Sequence, residues 1–470
     1  MKHLTKLILV LFISASFQQN LYRANPAFAF SVGEEKEVGE QLLTMVRKGF
    51  TLIDEPDVIQ YINELGQGTL AVAGSQYFDY HFFVISNKEL NAFAAPSGLI
   101  FFHSGLVESL DSEEELVGVM AHEIGHVVSR HLADRIRKTA KISAVTMLGV
   151  LLGIALGAGP LSEAIIAGSA AAGQSAALSF SRLDEEEADR LAFKWMQEQN
   201  LDPGEMVNML HEIHTMNRYR MGYVPPYLLT HPGPDVRMSY IQDLILFSEQ
   251  KKYVTVDQFP FQRFKSRVIS LSRDPVQLVS YYQRATATME PDSQAAAMAY
   301  YVLSQAYLAA ADFDNAEKSL GKTMAFFPDK QILKADLGII YLKAGKFNEA
   351  LGLLQETRRL ERSNAYASFY LAQAYEKTGK LQAASELYEE LLVMMPDYAK
   401  LYYQLANIKA KLNKEEEGFY YYGYYYWYEG NLLSAKTHFA RAVALLPKDG
   451  QKKADAENML RKISRFEKEQ

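Results

Sequence analysis

The chain has 470 residues, of which 49% are hydrophobic and 22% charged, the balance of an ordinary globular protein with room for several domains. Its 49 basic and 56 acidic side chains leave a net charge of −7, with no clustered basic stretch of the kind that nucleic acid would require. Cysteine is absent, which excludes disulfides, thiolate metal sites, cysteine nucleophiles and a lipoprotein anchor, so any metal must be held by His and carboxylates.

At the N-terminus Lys2, His3 and Lys6 precede an apolar run from Leu7 to Phe17, shorter than the roughly 20 residues that a spanning helix needs. Ala27-Phe28-Ala29 then supplies small residues on either side of a large one. The order basic, apolar, small predicts an export signal over 1–29, cut after Ala29, and a mature chain outside the cytoplasm. Further on, Pro96-Ser97-Gly98 reads as a turn into the β-rich stretch Gly98 to Phe102. That stretch is expected to be an edge strand, which makes Gly98, Leu99 and Ile100 candidates for holding an extended substrate by strand addition; a plain core strand is the alternative.

The chemistry-bearing residues follow. Ser112 ahead of Glu113, Glu114 and Glu115 is an N-cap with acids in the first turn, so Val119 to Val127 should lie on a helix. His122 and His126 are then one turn apart on one face and can reach one ion, with Glu123 beside them as general base toward water. The alternative is a pair of histidines on a helix surface. A third histidine of the collagenase type is excluded, because Ser129 and Leu132 stand where Gly and His would be needed. A carboxylate from a second helix is the other solution. Within Ser181 to Asp189, Glu185 and Asp189 share a helical face, fitting a ligand plus an acid that accepts from the far N–H of a ligand histidine. Glu186 and Glu187 read as a solvated helix start.

Between these two motifs, 142–180 carries a single charge, Glu163. A packed hairpin or lid over the cleft is expected there, with transient membrane contact as the alternative. In the last third, Tyr307, Tyr341 and Tyr375 are spaced by 34, as are Ala316, Ala350 and Ala384. With Pro328 and Pro396 closing units, this period resembles the tetratricopeptide repeat, whose helix pairs stack into a solenoid. Gly430, Ala435 and Pro447 repeat the pattern with half a unit added, expected around Leu401 to Gly418. Phe419 to Tyr428 holds seven tyrosines, read as large core positions of a repeat helix or as an aromatic patch for peptide.

Asn91 to Gly98, His122-Glu123-Ile124-Gly125-His126, Ser181 to Asp189, and Thr230-His231-Pro232 followed by Arg237 occur in this order. Together they resemble the gluzincin family of the CAAX prenyl endopeptidase and HtpX. An export signal and C-terminal repeats narrow the resemblance to BepA-like periplasmic β-barrel assembly-enhancing proteases. The resemblance implies that His122, His126 and Glu185 bind one Zn2+, that Glu123 activates water, and that Asp189 supports a ligand. It also implies that His231 lies near the metal, as a masking fourth ligand or as a donor to the tetrahedral intermediate; a His before Pro is otherwise a turn residue. The implied fold is mostly α: a gluzincin-type zinc metalloprotease domain of helices plus a small β-sheet over 30–250, a linker at 251–274, and an α-solenoid of tetratricopeptide repeats over 275–465. The implied function is a periplasmic zinc endopeptidase for unfolded or misassembled outer-membrane proteins, with the repeats docking on the β-barrel assembly machinery. The alternative is a chaperone or scaffold with a latent protease centre.

Overall fold

The structure is a computed structural model that describes residues 31–138, 180–219, 225–249 and 251–469. The expected leader at 1–29 and all but the last residue of the apolar segment 142–180 lie outside the described residues.

Helix α1 (Val32–Gly49) starts from a capping box, in which Ser31 accepts from the Glu34 N–H and Glu34 accepts from the Ser31 N–H. Helix α2 (Pro56–Ala73) has proline at its first position, where no donor is lost. Three strands follow: β1 (His81–Ile85), β2 (Ala92–Ala95) and β3 (Leu99–His103). Their order in the sheet is β1-β3-β2, with β1 parallel and β2 antiparallel to β3.

This order corrects the expected edge strand. Leu99 pairs with both His81 and Ala95, and Ile100 with both Phe82 and Ala94, so β3 is central and has no ladder edge to offer a substrate. Every residue of β3 is buried, and Gly98 is buried in the turn before it at φ 77°. The continuous apolar run of β3 fits a strand covered on both faces, and its pairing on both sides makes it central. The outer side of β1 is also occupied. Leu52 bridges Ile85, and the Asn63 side-chain amide pairs with the backbone N–H and C=O of Phe82. On the outer side of β2 no further strand stands among the described residues.

Behind the sheet come α3 (Ser104–Ser109), α4 (Glu113–Val128) and α5 (His131–Lys138). Ser112 caps α4 by accepting from the Glu115 N–H, and Glu115 through Val127 are all buried. A helix buried all round must sit at the centre of its domain. It packs between β2, α2, α6 (Arg182–Glu198) and α7 (Gly204–Tyr219). At Gly125 of α4, a Cβ would come within 3.1 Å of the Ala188 Cα in α6, so glycine permits the close approach of the two motif-bearing helices. The short α8 (Pro226–Thr230) and then α9 (Pro234–Phe247) complete this layer.

The span read as a linker, 251–274, contains α10 (Phe259–Ser272), nine of whose residues are buried. Its Phe261, Phe264 and Val268 belong to the same apolar cluster as α4 and α7. The repeat array then runs through α11 (Pro275–Thr288), α12 (Gln294–Ala309), α13 (Phe313–Phe326), α14 (Ile332–Lys343), α15 (Phe347–Leu360), α16 (Ala365–Lys377), α17 (Leu381–Met394), α18 (Ala399–Lys411), α19 (Glu415–Tyr428), α20 (Leu432–Leu445) and α21 (Gln451–Glu469). Left-handed turn residues Ala311, Gly345, Gly379 and Asn413 keep the spacing of 34, and Gly430 follows Asn413 after 17. The shift of 17 therefore falls between Gly379 and Gly430, in the span of α18 and α19, which overlaps the expected Leu401 to Gly418. The aromatic residues of α19 are buried or half-buried, with Tyr402, Tyr424 and Phe439 among their ring neighbours, as core positions require.

Candidate metal centre

Helix α4 projects His122 and His126 from one face. Their Nε2 atoms lie 3.0 Å apart, and His126 Nε2 is 3.4 Å from Glu185 Oε1. Glu185 comes from the first turn of α6, which Ser181 and Asp184 fix through a second capping box. His231, directly after α8, brings Nδ1 to 3.0 Å from Glu185 Oε1 and 3.2 Å from His122 Nε2. One ligand atom from each of these four residues falls within a common 4.8 Å span, and all four residues are buried. The structure thus brings His122, His126, Glu185 and His231 together. Leu99 and Ile100 lie in the central strand and Gly98 in the turn before it.

Three of the four ligand-bearing side chains have a polar partner behind them. His122 Nδ1 lies 2.7 Å from Asp189 Oδ1. Arg237 of α9 donates to both Asp189 oxygens, at 2.8 and 2.7 Å, and its third nitrogen lies 2.9 Å from Glu185 Oε2. Tyr240 also donates to Asp189. His126 Nδ1 lies 2.9 Å from His131 Nδ1, and the ring of Phe180 stacks on His126 at 3.8 Å. Tyr240 and His131 were not singled out from the sequence. His131 offered one signal, a second imidazole five residues beyond His126.

Charge balance follows from burial. Burial pushes the Asp189 carboxyl up, but Arg237 and His122 outweigh it and hold the group well below the usual carboxylate range. For Glu185 burial again acts upward, and His231 and Arg237 again prevail downward. Burial lowers His126 well below the ordinary imidazole value. Burial lowers His231 too, but Glu185 and Glu123 reverse this and raise it. Burial opposes the charge on Arg237, yet Asp189 and Glu185 hold it well above its ordinary value.

The donor set suits a divalent cation: two imidazoles, a carboxylate and an optional third imidazole, with no sulfur. Both oxygens of buried Glu123 and the Nε2 of buried His231 find no hydrogen-bond partner among the described residues. Buried polar atoms without partners are rare and call for an explanation. These atoms are the ones a cation and its water would engage.

A helical domain with such a centre, followed by tetratricopeptide repeats, defines a metalloprotease joined to a protein-interaction array. Residues 56–245 match the family model of peptidase family M48, and residues 335–399 match that of the tetratricopeptide repeat. The β-barrel assembly-enhancing protease of Escherichia coli (strain K12) is 30% identical over 390 residues, covering 82% of this chain and 79% of that protein. The protein of the same name from Yersinia pestis is 34% identical over 243 residues, covering 51% and 49%. The mitochondrial metalloendopeptidase OMA1 of Schizosaccharomyces pombe is 28% identical over 193 residues, covering 41% and 54%. The chain belongs to the family of β-barrel assembly-enhancing proteases.

Proposed function

We propose that this chain is a zinc endopeptidase of the bacterial periplasm that removes misfolded precursors during outer-membrane β-barrel assembly. In this reading 1–29 is a cleaved leader, 30–250 the protease and 275–465 the docking array for the assembly machinery. His122, His126 and Glu185 would hold one Zn2+, with Asp189 fixing the His122 ring by accepting from Nδ1–H. When bound, the ion supplies Lewis acidity that makes hydroxide available from water near neutral pH. The Glu123 carboxylate is placed to take a proton from the attacking water and pass it to the leaving amine. His231 Nε2, 3.5 Å from Glu123 Oε1, donates to the oxygen on which negative charge develops. The outer edge of β2 takes the place of the β3 residues first expected for an extended substrate, since Ala94 and Ala95 lie beside His126 and Phe180. The observation that carries this reading is the buried Glu123, without a hydrogen bond among the described residues, beside a four-residue donor set.

A second reading rests on His231. It is fully buried and within the ligand set, so as a fourth ligand it would close the position that water needs, and the protein would work chiefly as a chaperone or scaffold with a latent centre. Cleavage of a misfolded barrel precursor by wild type, Glu123→Gln and His231→Ala separates the two. Proteolysis predicts that Glu123→Gln loses both cleavage and assembly support. A scaffold keeps assembly support in Glu123→Gln, and latency predicts that His231→Ala cleaves faster than wild type.

A further inference from the structure

The two imidazoles of α4 are supported unequally. Behind His122 stands the buried Asp189 carboxylate, itself gripped by Arg237 and Tyr240. Behind His126 stands another imidazole, His131, with Nδ1 facing Nδ1 at 2.9 Å. Arg130, at φ 53°, reverses the chain between the two helices, so His131 at the start of α5 faces back toward α4. Two ring nitrogens at this distance share one proton, so one must donate and the other accept.

Chemistry assigns the roles. His126 Nε2 points at His122 Nε2 and Glu185 Oε1, the side where a cation would sit, and an imidazole that gives its Nε2 lone pair to a metal carries its proton on Nδ1. His131 Nδ1 is then the acceptor, and its own proton must be on Nε2. That atom faces Glu187 Oε2 at 3.4 Å, while Ser129 Oγ donates to Glu187 Oε1 at 2.8 Å. Each tautomer along Glu187, His131 and His126 is consistent with the next. Glu187, read from the sequence as a solvated residue, is 60% exposed yet ends this chain of contacts.

Building on the metal-site reading above, we infer that His131 is a positioning residue for His126, accepting its Nδ1 proton, and that Glu187 fixes His131 in the tautomer that can do so. The readout is the rate at which the zinc-loaded full chain releases zinc to a chromogenic chelator, beside circular dichroism of each variant. His131→Leu removes the acceptor, and release should accelerate about tenfold to a hundredfold. His131→Asn places an amide oxygen near the former Nδ1, and release should return to within about threefold of wild type. Glu187→Ala should accelerate release severalfold in wild type and not at all in the His131→Asn background, where no ring Nε2 remains to be fixed. Release at the wild-type rate from folded His131→Leu would overturn the inference, as would His131→Asn behaving like His131→Leu. If His131→Leu does not fold, the exposed Glu187 carries the test, and an equal effect of Glu187→Ala in both backgrounds would overturn the inference. A wild type that retains no zinc would instead overturn the underlying metal reading.

Discussion

At the scale of single residues, the centre separates holding a metal from moving a proton. Glu123 makes no hydrogen bond among the described residues and is fully buried, so its replacement by the isosteric glutamine disturbs little except proton transfer. Glu123→Gln should lower kcat for cleavage of an unfolded polypeptide by about 10²- to 10⁴-fold, while metal content per chain, read by mass spectrometry of the element, stays that of wild type. Asp189 acts in the opposite sense. It accepts from Arg237 and Tyr240 and faces His122 Nδ1, and an asparagine cannot accept at both atoms. Asp189→Asn should weaken metal binding by about 10- to 100-fold, measured by chelator competition, with any loss of activity reversed by excess metal. Ser97 shows how narrow such tolerances are. It holds a left-handed backbone at φ 71°, and a Cβ on Gly39 would come within 2.5 Å of the Ser97 Cβ, so the turn before β3 accepts a small side chain and little more.

Elements explain what the sequence disclosed and what it concealed. His122 with His126, and Glu185 with Asp189, could be grouped because i, i+4 spacing puts each pair on one helical face, while Glu123 was read from its place beside His122. β3 was misplaced because an apolar run fits a central strand and an edge strand alike, and only pairing on both sides decides. In the array, the turn at position 413 was less legible than its neighbours because it uses Asn at φ 58°, a residue that tolerates the left-handed region, so a search for turn glycines passes over it. His131 was hidden because its contact with His126 depends on the reversal at Arg130. In α19 the crowding is sharpest at Gly423, where a Cβ would lie 2.5 Å from the fully buried Phe439 ring. Gly423→Ala should therefore destabilise the chain by about 1–3 kcal/mol despite the better helix propensity of alanine, read as a lower urea midpoint. An unchanged or higher midpoint would show that α19 and α20 have room to part.

For the whole molecule, the question is what locks the repeat array to the protease. Arg263 and Arg267 of α10 both reach Asp57 of α2, Arg263 also reaches Asp336 of α14, and Tyr301 and Tyr366 donate to Asp336. All six side chains are buried, so Arg263→Met leaves a buried carboxylate with no cation and should cost about 3–5 kcal/mol, measured by urea unfolding. Burial pushes Asp57 up, but Arg267 and Arg263 hold it below the ordinary carboxylate value. Its contribution is therefore complete above about pH 3.9 and fades only as pH falls through the lower folded value. A second contact has the opposite sign. His81 of β1 lies 2.7 Å from Asp397, in the loop between α17 and α18, with the two side chains 36% and 29% exposed. Burial lowers the His81 pKa, but Asp397 outweighs it and raises the value above 6.5. A group whose pKa rises on folding stabilises the fold fully below its unfolded value and loses that effect as pH climbs through the folded one. Solvent screens so exposed a pair, so His81→Gln should cost about 0.5–1 kcal/mol at pH 6 and progressively less toward pH 8.5. Urea unfolding of both proteins at the two pH values measures the difference, and a cost independent of pH would mean that His81 works there by packing alone.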